Sequence, residues 1–211
     1  MEYFKDYDLF IVDFDGTIVD TMRMWKNICI DFVKSLNKTV SPDFYSKISS
    51  KTNMEIVKII HDEYANEYGC EMVEKLFFDF IKSEYIKQDL KPNAIKLLTD
   101  LNKHGKVVLY SATAGTILDV LINKLELRKY YQHIYSGSDL GISKEDGTGY
   151  LEVIKLAGGC NKALILEDAL HAIIGAKKMN LDVLAIIDYS NINHLDKVNE
   201  YANYIIDLKD Y

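Results

Sequence analysis

Short apolar runs alternate with longer amphipathic stretches along most of this chain. The runs are rich in β-branched and aromatic residues and end at polar positions, which is typical of strands buried on both faces of a sheet. Predicted strands lie at 9–13, 106–111, 133–137, 163–168, 182–188 and, as an edge strand, 204–208. Predicted helices lie between them at 92–104, 114–126, 149–157 and 170–179. This alternation predicts an α/β fold with a parallel sheet.

The segment 20–88 breaks the alternation. Its apolar residues recur at helical spacing, and no part of it has a convincing strand pattern. Helices are predicted at 21–36, 53–64 and 72–86. A helical insertion after the first strand predicts a small cap domain at 20–88, carried by a core domain of residues 1–19 and 89–211.

Composition narrows the class of protein and of partner. With 48 % hydrophobic and 27 % charged residues, the 211-residue chain is expected to fold around a packed core. A net charge of -7 argues against nucleic acid as a partner, because backbone binding requires a basic surface. The sequence has neither an apolar run of membrane-spanning length nor a signal-peptide pattern, so we expect no membrane partner. Three scattered cysteines (Cys29, Cys70 and Cys160) are interpreted as reduced thiols, which favours a cytoplasmic protein.

Acidic and hydroxyl side chains follow three of the predicted strands. Asp13 and Asp15 follow the first strand, Ser111 ends the second, and Glu167 and Asp168 end a later one. The carboxyl ends of parallel strands meet at one edge of the sheet, which is the usual ligand crevice of open α/β sheets. We therefore expect these residues to meet in one site.

The acid-rich stretch DFDGTIVD after the first strand is open to several interpretations. A calcium-binding loop is excluded, because placing Gly16 at the sixth loop position puts Ile11 and Met22 where oxygen ligands are needed. A solvated turn stays open, since Asp and Gly favour turns. The chemical interpretation makes Asp13 a carboxylate nucleophile that forms an aspartyl-phosphate, and Asp15 a general acid/base. Mg²⁺ bound at Asp13 would offset the repulsion between this carboxylate and an incoming phosphate.

Four motifs occur in order along nearly the whole chain. They read DFDGT, VVLYSAT, ISKEDGTGY and LILEDALHAIIGAKKMNLDVLAI. With them the chain resembles the haloacid dehalogenase (HAD) superfamily, specifically its helical-cap phosphatases and the β-phosphoglucomutase-like subgroup. The resemblance implies a Rossmann-like parallel sheet core, the HAD fold, with an inserted α-helical cap domain.

The resemblance also implies a role for each strand-end residue. Asp13 would be the nucleophile and Asp15 the acid/base. Mg²⁺ would be held by oxygens from two strand ends: Asp13, the backbone carbonyl of Asp15, Asp168 and, nearby, Glu167. The phosphate would be bound at three further positions: Ser111, the amide of Ala112, and Lys144. Relatives that dehalogenate lack an aspartate at the position of Asp15, so phosphoryl transfer is implied here.

The third motif departs from the pattern of the family. Relatives usually read Lys-Pro-x-Pro-Asp, whereas this chain continues from Lys144 with Glu145, Asp146, Gly147 and Thr148. Both prolines and the following aspartate are absent. We therefore expect a more mobile loop, in which Lys144 lacks its usual anchoring carboxylate.

The insertion bears on the choice between hydrolysis and transfer. Sugar-phosphate mutases of the resembling subgroup carry a cap histidine where this chain has Trp25, and a cap arginine to which Lys51 is near in a rough alignment. These losses favour hydrolysis, and Trp25 and Lys51 become candidate specificity residues. The alternatives are a packing role for Trp25 and a solvated charge for Lys51.

The sequence thus predicts a Mg²⁺-dependent phosphatase that hydrolyses a small phosphorylated metabolite through an aspartyl-phosphate. One alternative is a phosphotransferase or sugar-phosphate mutase of the β-phosphoglucomutase type. The other is a catalytically inactive member that binds a phosphorylated ligand, although a binding protein has no need of the acid/base at Asp15. No pattern in the sequence names the substrate or predicts the oligomeric state.

Overall fold

Six parallel strands form one sheet in the part of the chain that the computed structural model describes, residues 1–49 and 51–211. In chain order the strands are β1 (Leu9–Val12), β2 (Lys106–Ser111), β3 (His133–Ser136), β4 (Ala163–Glu167), β5 (Asp182–Ile186) and β6 (Tyr204–Ile206). Each predicted strand is present, including the weak β3 and the edge strand β6. The predicted α/β fold with a Rossmann-like parallel sheet is confirmed.

The spatial order of the strands places one crevice at the centre of the sheet. The order is β3-β2-β1-β4-β5-β6, so the chain winds outward from β1 on one side and then returns to fill the other. Val12 pairs with Leu109 of β2 and with Leu166 of β4. The carboxyl ends of these three strands are therefore level, at the point where such sheets bind their ligands.

The chain divides into an α/β unit, Met1–Met22 with Gln88–Tyr211, and a helical unit, Arg23–Lys87. The first four helices are α1 (Met22–Ser35), α2 (Phe44–Ile48), α3 (Asn53–Tyr64) and α4 (Cys70–Tyr85). A capping box starts α3, because Thr52 Oγ1 accepts a bond from the Glu55 amide while the Glu55 carboxylate accepts one from the Thr52 amide. Phe32 and Phe77 pack at the centre of the helical unit, with ring centroids 5.1 Å apart.

Helices of the α/β unit follow the strands and cover the sheet. They are α5 (Ala94–Asn102), α6 (Gly115–Lys124), α7 (Gly137–Leu140), α8 (Thr148–Leu156), α9 (Leu170–Lys178) and α10 (Leu195–Tyr201). Shorter 3-10 helices lie at Glu2–Asp6, Leu127–Tyr130 and Ile192–His194. Successive β1 side chains point to opposite faces: Leu9 and Ile11 join a core cluster with Tyr150 of α8 and Ile173 of α9, while Phe10 is equally buried. Burial on both faces explains why the strands read as continuous apolar runs.

The apolar pattern does not predict three of these helices. The short helices α2 and α7 have too few residues for a periodicity to emerge, and α10 buries only Val198. None of the helices in the described residues is long and apolar enough to cross a membrane. All three cysteines are free thiols.

Candidate active site

Three carboxylates meet at the carboxyl ends of neighbouring strands. Asp13 follows β1, while Glu167 and Asp168 end β4 and begin the loop after it. One oxygen from each carboxylate lies within 4.8 Å of one oxygen from each of the others, and all three side chains are buried. The parallel pairing of β1 with β4 brings these groups together across more than 150 positions of sequence.

Lys144 supplies a positive charge to this acidic cluster. Its Nζ donates a hydrogen bond to Asp13 Oδ1 and another, of 2.8 Å, to Glu167 Oε2. The side chain is only 7 % exposed. Charge-assisted bonds to two buried carboxylates fix the ammonium between them, despite the missing prolines of the motif.

The Lys144 loop is held by backbone packing against α9. Gly147 has φ +85°, and a Cβ at this position would lie 2.0 Å from the carbonyl oxygen of Gly175. A Cβ on Gly175 would in turn lie 2.3 Å from the carbonyl oxygen of Lys144. Two glycines therefore allow a loop–helix approach that side chains would prevent.

Burial and mutual repulsion raise the pKa values of two acids in the cluster. Burial, followed by the charge of Glu167, raises the pKa of Asp13 to about 7, against the opposing effect of Lys144. Burial, followed by the charges of Glu167 and Asp13, raises the pKa of Asp168 well above its usual range. Burial alone would lower the pKa of Lys144, but Asp13 and Glu167 outweigh it and the pKa rises. The folded site thus holds more negative charge than Lys144 can balance.

The donor set fits a hard divalent cation. Three ionised carboxylates against one ammonium leave a formal charge of two negatives in a buried space, and carboxylate oxygens are the ligands that Mg²⁺ prefers. The raised pKa values of Asp13 and Asp168 express the same excess of negative charge. The residues present therefore suit the cofactor that the sequence predicts.

Asp15 lies in a different environment from Asp13. Its Oδ1 accepts a 2.8 Å bond from Thr21 Oγ1, and its Oδ2 accepts one of 2.8 Å from Thr113 Oγ1. Ser111 Oγ lies 3.4 Å from the same Oδ2. Asp15 is half-buried. Hydroxyl donors thus orient this carboxylate, whereas Asp13 is bonded to the ammonium of Lys144.

Gly16 lets the first-motif loop approach Asp168. It has φ +80°, and a Cβ would lie 2.4 Å from Asp168 Oδ2. Asp168 Oδ2 also accepts a 2.5 Å bond from Ser190 Oγ, and Thr17 Oγ1 lies 3.4 Å from Asp168 Oδ1. Any side chain at position 16 would displace the carboxylate, so this turn requires glycine.

A buried ion pair connects this loop to the loop that follows β5. Lys91 Nζ donates to the Gly16 carbonyl at 2.6 Å and pairs with Asp188 Oδ2 at 2.5 Å. Asn191 Nδ2 donates to the backbone carbonyl of Asp168 at 2.8 Å. The first-motif loop and the backbone of Asp168 are therefore both bonded to buried side chains beside the acidic cluster.

The predicted phosphate-binding residues line the same edge of the sheet. Ser111 is buried at the end of β2, and its Oγ accepts a bond of 3.1 Å from the Thr113 amide. Ala112 is exposed and, together with Lys144, lines a cleft of about 560 Å³. His171 lines this cleft as well. The cleft borders the acidic cluster through Lys144.

The two candidate specificity residues belong to the helical unit. The Trp25 ring lies 5.7 Å from the ring of Tyr85, centroid to centroid. Lys51 Nζ pairs with Glu55 Oε1 at 3.2 Å, and both side chains are largely exposed. These contacts describe each residue inside its own unit, and their role in substrate selection stays a prediction.

Several residues of the site are not singled out by the sequence pattern. They are Thr21, Lys91, Thr113, Tyr150, Asp188 and Ser190. Thr113 lies two residues after Ser111 in the second motif, and that proximity is a usable signal. Asp188 ends the apolar run predicted as the strand 182–188, so it carries the same kind of signal as Asp13. Ser190 lies in the loop beyond β5, and nothing in the pattern marks it.

The chain was compared with known proteins. The family model described as haloacid dehalogenase-like hydrolase matches residues 10–186. A phosphoglycolate phosphatase of Agrobacterium fabrum is 26 % identical over 183 residues, which cover 80 % of this chain and 76 % of that protein. The (DL)-glycerol-3-phosphatase 2 of Arabidopsis thaliana is 22 % identical over 212 residues, covering 94 % of this chain and 88 % of that protein.

The fold was also compared with solved structures. The crystal structure of a β-phosphoglucomutase-like protein from Thermotoga maritima matches with a TM-score of 0.79 and 19 % identity, covering 96 % of this chain and 95 % of that one. This likeness supports the fold, and the two named relatives support a phosphatase at the level of the family. Because the family model spans most of the sequence, the resemblance drawn from the motifs is confirmed. The chain belongs to the haloacid dehalogenase-like hydrolase family.

Proposed function

We propose that this protein is a Mg²⁺-dependent phosphatase that hydrolyses a small phosphorylated metabolite through an aspartyl-phosphate on Asp13. The proposal depends on two carboxylates at one strand end. Asp13 is bonded to Lys144 in a buried acidic cluster, and Asp15, two residues later, accepts bonds from the hydroxyls of threonines. One strand end thus offers both a nucleophile and an acid/base. The phosphatase names of the two sequence relatives support the same reaction class.

In the first step Asp13 attacks the phosphorus. Lys144 holds Oδ1, and Oδ2 forms the new bond to phosphorus while the bond from phosphorus to the bridging oxygen of the substrate breaks. The leaving oxygen takes a proton from Asp15. Lys144, Ser111 and the amide of Ala112 are assigned to the phosphate oxygens, where charge develops.

In the second step water releases the phosphate. Asp15, now ionised, accepts a proton from a water molecule that attacks the phosphorus, and the bond from phosphorus to Asp13 breaks. The half-buried position of Asp15 suits this role, because both the leaving oxygen and the attacking water must reach its carboxyl group. The hydroxyls of Thr21 and Thr113 keep its carboxylate oriented in both protonation states.

Asp13 and Asp168 are the side chains assigned to Mg²⁺, with Glu167 beside them. When bound, the cation would neutralise the excess negative charge of the cluster and of the substrate phosphate. The substrate class is a small phosphate monoester, and Trp25 and Lys51 are the residues we assign to its selection.

The direct test is phosphate release from p-nitrophenyl phosphate and from a panel of phosphorylated metabolites, with Mg²⁺ or with EDTA. We expect release by the wild type with Mg²⁺ only, and no release by Asp13→Asn. The labelled phosphoryl group of the substrate should be transferred to water and appear as inorganic phosphate. Label that appears instead on a sugar acceptor would replace hydrolysis by a mutase or transferase, and the absence of any release from a folded, Mg²⁺-binding protein would favour a binding role.

A further inference from the structure

The hydroxyl of Tyr150 reaches the acidic cluster from α8. Tyr150 is 1 % exposed, and its Oη donates a 2.9 Å hydrogen bond to Glu167 Oε2. This is the same oxygen that accepts the 2.8 Å bond from Lys144 Nζ. The tyrosine and the lysine therefore share one carboxylate oxygen.

The other oxygen of Glu167 is also occupied. Oε1 accepts bonds of 3.2 Å from the backbone amides of Asp168 and Ala169. A carboxylate offers about four lone-pair directions, and Glu167 receives four donors. Its position is thus fixed from both sides, by the backbone at Oε1 and by Tyr150 with Lys144 at Oε2.

The ring of Tyr150 is held separately from its hydroxyl. It packs edge-on against Tyr110, with centroids 5.4 Å apart and an interplanar angle of 89°. Lys144 Nζ in turn lies 5.2 Å from the centroid of the Tyr110 ring. Replacing Tyr150 by phenylalanine keeps this aromatic packing and removes only the donor to Glu167.

We propose that Tyr150 is a positioning residue, which fixes Glu167 and thereby keeps Lys144 divided between Glu167 and Asp13. Without the hydroxyl, Oε2 of Glu167 has Lys144 as its remaining donor, and the ammonium shifts from Asp13 toward Glu167. The anchor matters in this chain because Lys144 is not followed by the prolines and aspartate of the usual motif. The effect on turnover rests on the proposed function, whereas the position of Lys144 does not.

The first experiment observes Lys144 without any turnover. The ¹⁵N-labelled ammonium of a buried lysine with fixed partners exchanges its protons slowly enough to give a proton–nitrogen NMR signal, and Lys144→Met assigns that signal. We expect the signal in the wild type and in Tyr7→Phe, and we expect it shifted or broadened in Tyr150→Phe. Tyr7 is the matched control, since its buried hydroxyl also donates a 2.9 Å bond to a carboxylate, Asp182, but does so at the amino ends of β1 and β5.

The second experiment measures turnover of p-nitrophenyl phosphate at saturating Mg²⁺. Tyr150→Phe should lower kcat about tenfold, with KM within about twofold of the wild-type value, because a bond to a charged group is lost. Added to Glu167→Gln, Tyr150→Phe should lower kcat no further, because the tyrosine acts through Glu167. Tyr7→Phe should keep the wild-type kcat.

The outcomes separate the two proposals. An unchanged Lys144 signal and an unchanged kcat in Tyr150→Phe would overturn the positioning role, as would a full additional loss on the Glu167→Gln background. A wild type without phosphatase activity, but with the predicted NMR change, would keep the positioning role and remove the proposed function.

Discussion

Asp13 and Asp15 are two residues apart in sequence but differ in burial and in hydrogen-bond partners. Asp13 is buried beside Glu167 and Asp168 and is bonded to Lys144. Asp15 is half-buried and is oriented by the hydroxyls of threonines. One strand end therefore produces two carboxylates that differ in burial and in hydrogen-bond partners.

This difference suits the separate roles that we propose for the two side chains. A nucleophile must be fixed beside the phosphate and be stabilised as an anion, which Lys144 and a cation at the cluster would provide. An acid/base must change its protonation state in each cycle and must be within reach of the leaving oxygen and of the attacking water. Pairs of acids whose surroundings differ in this way are typical of sites that perform both kinds of chemistry.

The largest effect is expected from removing the proposed nucleophile, Asp13. Asp13→Asn keeps the shape of the side chain but removes its anionic oxygen, so turnover of p-nitrophenyl phosphate should fall by at least about 10³-fold. Asp20→Asn is the control, because Asp20 belongs to the same acidic stretch but is exposed. Near-normal turnover in Asp13→Asn would contradict the assignment.

Removing the proposed acid/base, Asp15, should give a smaller and substrate-dependent loss. We expect Asp15→Asn to lower kcat about 10²- to 10⁴-fold for an alkyl phosphate, whose leaving oxygen requires a proton. The first step with p-nitrophenyl phosphate should suffer less, since its leaving group is stable as an anion. Burst kinetics measure this difference, and equal first-step losses for both substrates would exclude Asp15 as the acid.

The metal assignment predicts a loss of Mg²⁺ affinity. Asp168→Asn removes one anionic oxygen from the cluster, so the Mg²⁺ concentration at half-maximal activity should rise about 10- to 100-fold. Calorimetric titration of Mg²⁺ provides the same measurement without substrate. Asp20→Asn is the control, because Asp20 is exposed. Asp188 is unsuitable as a control, because it pairs with the buried Lys91. An unchanged Mg²⁺ requirement would remove Asp168 from the ligands.

The raised pKa values of Asp13 and Asp168 predict how pH changes stability. Both exceed the unfolded value of about 4, so the folded protein binds more protons than the unfolded chain from about pH 4 to pH 7. Without Mg²⁺, the stability conferred by these acids is therefore greatest at low pH and falls as pH rises through this range. Mg²⁺ should raise Tm more at about pH 8 than at about pH 5, because its ligands must be ionised. Equal shifts at both pH values in differential scanning calorimetry would contradict this.

The smallest effect is expected from the hydroxyls around Asp15. Thr113→Val removes one donor to Asp15 Oδ2 and should lower kcat about three- to tenfold, with little change in the Mg²⁺ requirement. Thr116→Val is a matched control, since Thr116 is exposed. A loss of Mg²⁺ affinity in Thr113→Val would mean that the surroundings of Asp15 and the acidic cluster are not independent.

Most of the fold could be predicted from the sequence, because burial on both faces gives the strands unmistakable apolar runs. The run at 106–111 coincides with β2, and the weak run at 133–137 still forms β3. The short helices α2 and α7 could not be predicted, since a periodicity of 3.6 residues needs several turns to become visible. The strand order depends on tertiary packing, which no local pattern encodes.

The site was predictable where a polar residue interrupts an apolar run. Asp13, Ser111 and Glu167 stand out for this reason, and parallel pairing of β1 with its neighbours brings them to one edge. Tyr150 and Ser190 lie on a helix and in a loop, where tyrosine and serine are unremarkable. Their partners become visible only when the backbone has folded.

The most direct test of the account is to locate the phosphoryl group in Asp15→Asn. This variant should form the intermediate with p-nitrophenyl phosphate and Mg²⁺ but should hydrolyse it slowly, because no base activates the water. After acid quenching and proteolysis, mass spectrometry should find one phosphoryl group on the peptide that contains Asp13, and none in Asp13→Asn. If the wild type releases phosphate but Asp13 is phosphorylated neither in the wild type nor in Asp15→Asn, the aspartyl-phosphate on Asp13 would be contradicted.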